Sequence, residues 1–144
     1  MTLPGYDWQA GMWRLEKIAI AYLLTLPIGW DREREGQSVG IRTFPIVGMA
    51  SCAVLLIPGN DPNAQSRVLQ GMLTGIGFVG AGAIIKEGQT VHGTATAASI
   101  WATAAIGAAV AMDRYEIAVA LTVLTLLTLK LLLPLKRKND TKPQ

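Results

Sequence analysis

The stretch Val68-Leu69-Gln70-Gly71-Met72-Leu73-Thr74-Gly75-Ile76-Gly77-Phe78-Val79-Gly80-Ala81-Gly82-Ala83-Ile84-Ile85 carries no charge. At ~1.5 Å per residue, such a run spans about 27 Å as a helix, close to the ~30 Å hydrocarbon thickness of a bilayer. At about 100° per residue, Gly71, Gly75 and Gly82 share one stripe, with Gly77 and Gly80 nearly opposite. Two faces are thus stripped of side chains. In a membrane, where dispersion packing replaces the hydrophobic effect, such faces let a neighbouring backbone come close. This helix is expected at the centre of a bundle.

The apolar runs on either side repeat the pattern. Residues 13–30 form a first span bordered by Tyr6, Trp8 and Trp13 as an aromatic belt, with Arg14, Glu16 and Lys17 at or snorkelling towards the interface and Pro27 kinking the exit. Residues 43–58 form a short second span closed by Pro58-Gly59, and 68–85 form the third. Residues 94–112 hold nine alanines with Thr96, Ser99 and Thr103, and should pack beside the third span, with Ala98, Ser99 and Trp101 among the packing residues. Residues 117–135 hold nine leucines and Lys130, a composition suited to lipid. The fold class is therefore an all-α transmembrane bundle of about five helices over residues 1–135, followed by a basic tail at 136–144.

Charge supports a membrane over a nucleic acid. The net charge of +3 sits in short loops and at the C-terminus, and mean hydropathy is +0.35. With five spans, one side receives Arg32, Arg34, Arg42, Lys86, Lys136, Arg137, Lys138 and Lys142, the other only Arg14, Arg67 and Arg114. The excess of basic residues marks the cytoplasmic side, so the N-terminus is expected outside and the C-terminus inside. No cleavable leader pattern precedes the first span, which is read as retained.

The chemistry-bearing residues are few. Gly75-Ile76-Gly77-Phe78-Val79-Gly80 matches a dinucleotide fingerprint in spacing, but the motif needs a preceding strand and a helix start, and here it falls inside an apolar helix. Asp31-Arg32-Glu33-Arg34-Glu35 is the densest charge cluster. It reads either as a self-neutralised solvated collar or as a polar centre that pairs with Arg42 or Lys86 and closes one end of the bundle, or docks a partner, while Lys86-Glu87-Gly88 with His92 makes a tight turn. Asp31, Glu33 and Glu35 could attract Mg²⁺, although two interleaved arginines nearly cancel their charge. One histidine and Cys52 assemble no nucleophile, base and orienter, so no enzyme and no resident cofactor are expected.

The order Arg32-Glu33-Arg34-Glu35-Gly36, Gly40-Ile41-Arg42-Thr43, Gly75 to Gly82, Ile85-Lys86-Glu87-Gly88 and Thr96-Ala97-Ala98-Ser99-Ile100-Trp101 closely resembles the MgtC/SapB family of bacterial inner-membrane proteins. The resemblance covers residues 31–107. It implies a non-enzymatic regulator of other membrane proteins, including the F-type ATP synthase, linked to Mg²⁺ limitation, intracellular survival and virulence. A Mg²⁺ or other cation transporter is the alternative. Gln37, Phe44, His92, Thr94 and Ala95 depart from the family's usual residues. Longer members carry a C-terminal ACT-like domain, which a chain ending at Gln144 is expected to lack. The expected partners are the lipid bilayer, a second copy of the chain as a dimer, and another membrane protein.

Overall fold

The structure is a computed structural model that describes residues 8–132, apart from Ser38, Asn60 and Gln89. Five helices, α1 (Trp8–Arg34), α2 (Thr43–Leu56), α3 (Pro62–Gly82), α4 (Thr94–Ala111) and α5 (Tyr115–Leu131), make up nearly all of it. Tyr6, residues 133–135 of the fifth expected span and the basic tail at 136–144 lie outside the described residues.

Local sequence accounts for most helix boundaries. α1 continues through Pro27 for two further turns, reaching Arg34 before Gly36 turns the chain at φ +67°. α3 opens where the Asp61 side chain accepts from the N–H groups of Asn63 and Ala64, with Pro62 at a first-turn position that needs no donor. α4 ends in a Schellman arrangement: the Arg114 N–H bonds the Ala109 carbonyl and the Asp113 N–H bonds that of Val110. Asp113 occupies the left-handed position at φ +60°, where glycine is usual.

The loop from 83 to 93 is more structured than a tight turn. Strand β1 (Ile85–Glu87) pairs antiparallel with β2 (Thr90–His92), Lys86 opposite Val91. Every described residue of this hairpin is exposed. Gly93 closes it at φ +83°, with Ala83 carbonyl so near that no side chain would fit.

The centre of the bundle is α4, which packs on all four other helices. The expectation that the glycine-rich helix lies there is corrected. α3 rests chiefly on α4, touches α2 thinly, and buries only Gly80. A methyl group added at Gly71, Gly75, Gly77 or Gly82 would meet nothing within 4 Å, and at Gly80 it would reach only the Ala97 backbone and methyl, at 3.5 Å and beyond. Close packing occurs elsewhere. Gly107 of α4 lies directly on the Gly48 carbonyl of α2, and an added methyl would also stand 3.0 Å from Ser51 Cβ. Dispersion gain follows the number of atoms in contact, so a run of five glycines offers a neighbour little, whereas one glycine amid Ile100, Ile106 and Val110 admits a backbone and still fills the surrounding space.

The core joins Ala21 and Ile28 of α1, Phe44 and Cys52 of α2, Ile100, Ile106 and Val110 of α4, and Ala118 and Leu129 of α5. Buried hydroxyls satisfy themselves locally: Thr25, Ser99, Thr103 and Thr122 each donate to the carbonyl four residues earlier. Large apolar side chains instead line the outside, including Leu15 and Leu23 on α1, Phe78 on α3, Trp101 on α4 and Leu124 on α5. By length and hydropathy, one described helix, Thr94–Ala111, is long and apolar enough to cross a membrane, and Thr43–Leu56 is apolar but shorter.

Candidate functional site

Polar side chains collect at the two ends of the bundle. At one end the last turn of α1 meets the loop into α2 and the start of α4. Asp31 and Arg32 form an ion pair at 2.8 Å, with the arginine almost wholly buried and its Nε–H without an acceptor. Glu33 turns the other way, its Oε2 accepting the Ile41 N–H at 3.1 Å. That bond satisfies a backbone donor beside the first turn of α2, where Arg42 supplies no side-chain cap. Gly40 lies against the same carboxylate, which leaves no room for a Cβ. The Thr96 hydroxyl donates to Gln37 Oε1 at 3.1 Å, tying α4 to the loop after α1.

The charge cluster is thus divided among local tasks. Among the described residues, no ion pair joins Asp31 or Glu33 to Arg42 or Lys86; Asp31 pairs within the cluster with Arg32 and Glu33 with a backbone amide, so these two carboxylates do not form the closing network. Lys86 and Glu87 stand on the exposed hairpin. Arg34 is exposed with its guanidinium 5.7 Å from the Trp30 ring centre. The three candidate Mg²⁺ carboxylates do not converge, and no group of three or more His, Cys, Asp or Glu side chains among the described residues is placed to hold a metal ion. Of the expected packing residues on α4, Ser99 is buried while Ala98 and Trp101 face outward.

The opposite end holds a contact absent from the sequence reading. Lys17 is 1% exposed. Its Nζ bonds Asp113 Oδ2 at 2.7 Å and the Ala111 carbonyl at 2.9 Å, and stands 3.8 Å from the Trp13 ring centre. Lys17 therefore does not snorkel outward. It fastens α1 to the turn between α4 and α5, and the carboxylate it needs is held in place by the left-handed Asp113. One signal was available: five antiparallel spans put Lys17 and Asp113 at the same end with opposite charge.

Known proteins match the chain over nearly its whole length. Residues 18–138 match the MgtC family. The chain belongs to that family. SrpB of Synechococcus elongatus is 37% identical to this MgtC-family chain over 143 residues, covering 88% of it and 77% of SrpB. YhiD of Escherichia coli K12, provisionally named a magnesium transporter, is 34% identical, covering 79% of the chain and 58% of YhiD. MgtC of Salmonella typhimurium is 34% identical, covering 74% of the chain and 46% of MgtC. The MgtC-family chain thus spans most of SrpB but only about half of the other two relatives. No solved structure matches it. The matched segment takes in Arg32, Gln37, Thr96 and Asp113, and begins one residue after Lys17.

Proposed function

We propose that this chain is a multi-pass protein of the bacterial inner membrane, without enzymatic activity, that regulates another membrane protein by lateral helix contact. Its partner is a second copy of itself or a different membrane protein, for which the family resemblance points to the F-type ATP synthase. Mg²⁺ limitation and intracellular survival or virulence are the setting that the resemblance suggests. Support for a membrane setting comes from the distribution of polarity, with bulky apolar groups outside and self-bonded hydroxyls inside, the arrangement lipid favours.

The observation that carries the regulatory reading is the open glycine face of α3. Among the described residues, nothing lies within 4 Å of where a Cβ would stand at Gly71, Gly75 or Gly82, and a neighbouring helix could approach them to backbone distance. Crosslinking in native membranes followed by mass spectrometry tests this. A discrete complex is expected, weakened in Gly75→Leu while the monomer stays folded. A solitary monomer in native membranes would end the proposal.

The name of YhiD favours a second reading, transport of Mg²⁺ or another cation. Against it, Asp31 and Glu33 are engaged with Arg32 and the Ile41 N–H. Purified protein in liposomes, loaded with a Mg²⁺-sensitive dye, separates the two: flux above empty vesicles would favour transport.

A further inference from the structure

We propose that the cleft between α1 and α5 binds one anionic phospholipid, with its phosphodiester on Arg34 and Lys130. The site rests on the membrane reading above. α1 leans chiefly on α2, and α5 on α4, so the two touch each other thinly and leave a half-open cavity of about 500 Å³ between them. That volume lies within the range of small-molecule sites and holds a headgroup with the start of its acyl chains.

The walls of the cleft have a lipid's own profile. Both helices finish at the same end of the bundle, and along both the lining changes from apolar to charged within a single turn of ~5.4 Å. Pro27 and Trp30 precede Asp31 and Arg34 by one turn on α1, and Leu126 precedes Lys130 by one turn on α5. Acyl chains therefore meet Pro27, Trp30 and Leu126 where the phosphate meets the cations. Trp30 is half exposed, and the Arg34 guanidinium stands 5.7 Å from its ring centre, an arrangement suited to the boundary between hydrocarbon and headgroups.

Charge fixes the class of lipid. Among the described residues, no carboxylate pairs with Arg34 or Lys130. Asp31 also lines the cleft but is neutralised by Arg32 at 2.8 Å, so Arg34 and Lys130 against Glu35 leave a single net positive charge. A lipid whose only charge is its phosphodiester balances that excess, whereas a zwitterionic headgroup leaves it uncompensated. The guanidinium fork and the ammonium both donate to phosphate oxygens.

Arg34 and Lys130 also lie in the last turns of their helices, where a cation offsets the dipole, so lipid choice and not stability is the deciding readout. The full chain is placed in nanodiscs of phosphatidylcholine with equal minor fractions of phosphatidylglycerol and phosphatidylethanolamine, and native mass spectrometry reads the lipid that stays bound on release. Phosphatidylglycerol should be retained in preference to the other two. Arg34→Gln and Lys130→Gln should each lower that retention about fivefold, and together roughly 25-fold, at unchanged helicity. Lys86→Gln removes a cation from the exposed hairpin, outside the cleft, and should leave retention unchanged. No preference for phosphatidylglycerol in the wild type, or equal retention by either folded single variant and the folded double variant, would overturn the site. So would an equal loss in Lys86→Gln, which would show attraction by overall charge alone. A chain that never enters nanodiscs would instead remove the membrane reading itself, and the lipid site with it.

Discussion

Lys17 and Asp113 fasten one end of the bundle. A lysine this buried requires its ammonium to be bonded, and Asp113, the Ala111 carbonyl and the Trp13 ring share that work. Asp113 is 55% exposed, so solvent screens the pair and its removal should cost about 1–3 kcal/mol, below the figure for a fully buried pair. Asp113→Asn and Asp113→Ala should both lower the unfolding midpoint in detergent. Asparagine tolerates the left-handed backbone better, so the alanine variant should lose about 1 kcal/mol more. Lys17→Met, which removes the charge and keeps the bulk, should cost less than Asp113→Ala; the reverse order would show that the pair is not what holds the turn. Lys17 was legible as an anomaly in an apolar run, and five antiparallel spans put Asp113 at its end, but that the two meet across 96 residues was not legible, because ion pairing depends on which helices become neighbours.

At the scale of the elements, the contrast is between α3 and α4. Gly107→Leu would drive a side chain into the Gly48 carbonyl, Ser51 and the Cys52 amide, and should cost at least ~1–3 kcal/mol, enough to prevent recovery of a folded monomer. Gly75→Leu, with nothing within 4 Å, should leave monomer stability within about 0.5 kcal/mol of wild type. Thermal unfolding of both variants in the same detergent checks the pair. A destabilised Gly75→Leu would return α3 to the interior. The glycine count of residues 68–85 marked that helix as able to pack closely, yet glycine only permits approach. The decision rested with Gly107, which lies on the Gly48 carbonyl where α4 meets α2, while the bare side of Gly48 receives Thr25 of α1.

Across the whole molecule, the arrangement of ends carries the proposed orientation. Among the described residues, Arg32, Glu35 and Gln37, the chain leaving the hairpin at Gly93 and the close of α5 lie at one end, whereas Gly59, Gln65 and Asp113 lie together at the other. Single cysteines introduced at Glu87 and Asp61, in a Cys52→Ala background, should label oppositely with an impermeant thiol reagent: Asp61→Cys in intact cells, Glu87→Cys only after lysis. Both labelling from one side would refute the five-span topology. Cys52 is buried, so its replacement by alanine removes background at modest cost to packing.

By itself the amino-acid sequence determined that five helices form and roughly where, because capping, proline and glycine breaks and the sum of side-chain hydropathies act over stretches of about 20 residues or fewer; the ends differ, with α1 running Trp8–Arg34 where 13–30 was expected and α3 opening at Pro62 where 68 was expected. It also located the charges of residues 31–35 next to a helix end. Only the tertiary structure decided that α4 and not α3 is the hub, that Glu33 serves the Ile41 amide, that Thr96 reaches Gln37, and that Lys17 finds Asp113. Each of those depends on the matching of shape and charge between segments far apart in the chain. A single helix's periodicity shows which faces could be buried, but the neighbour that covers them is chosen by the atoms the two surfaces can bring into contact.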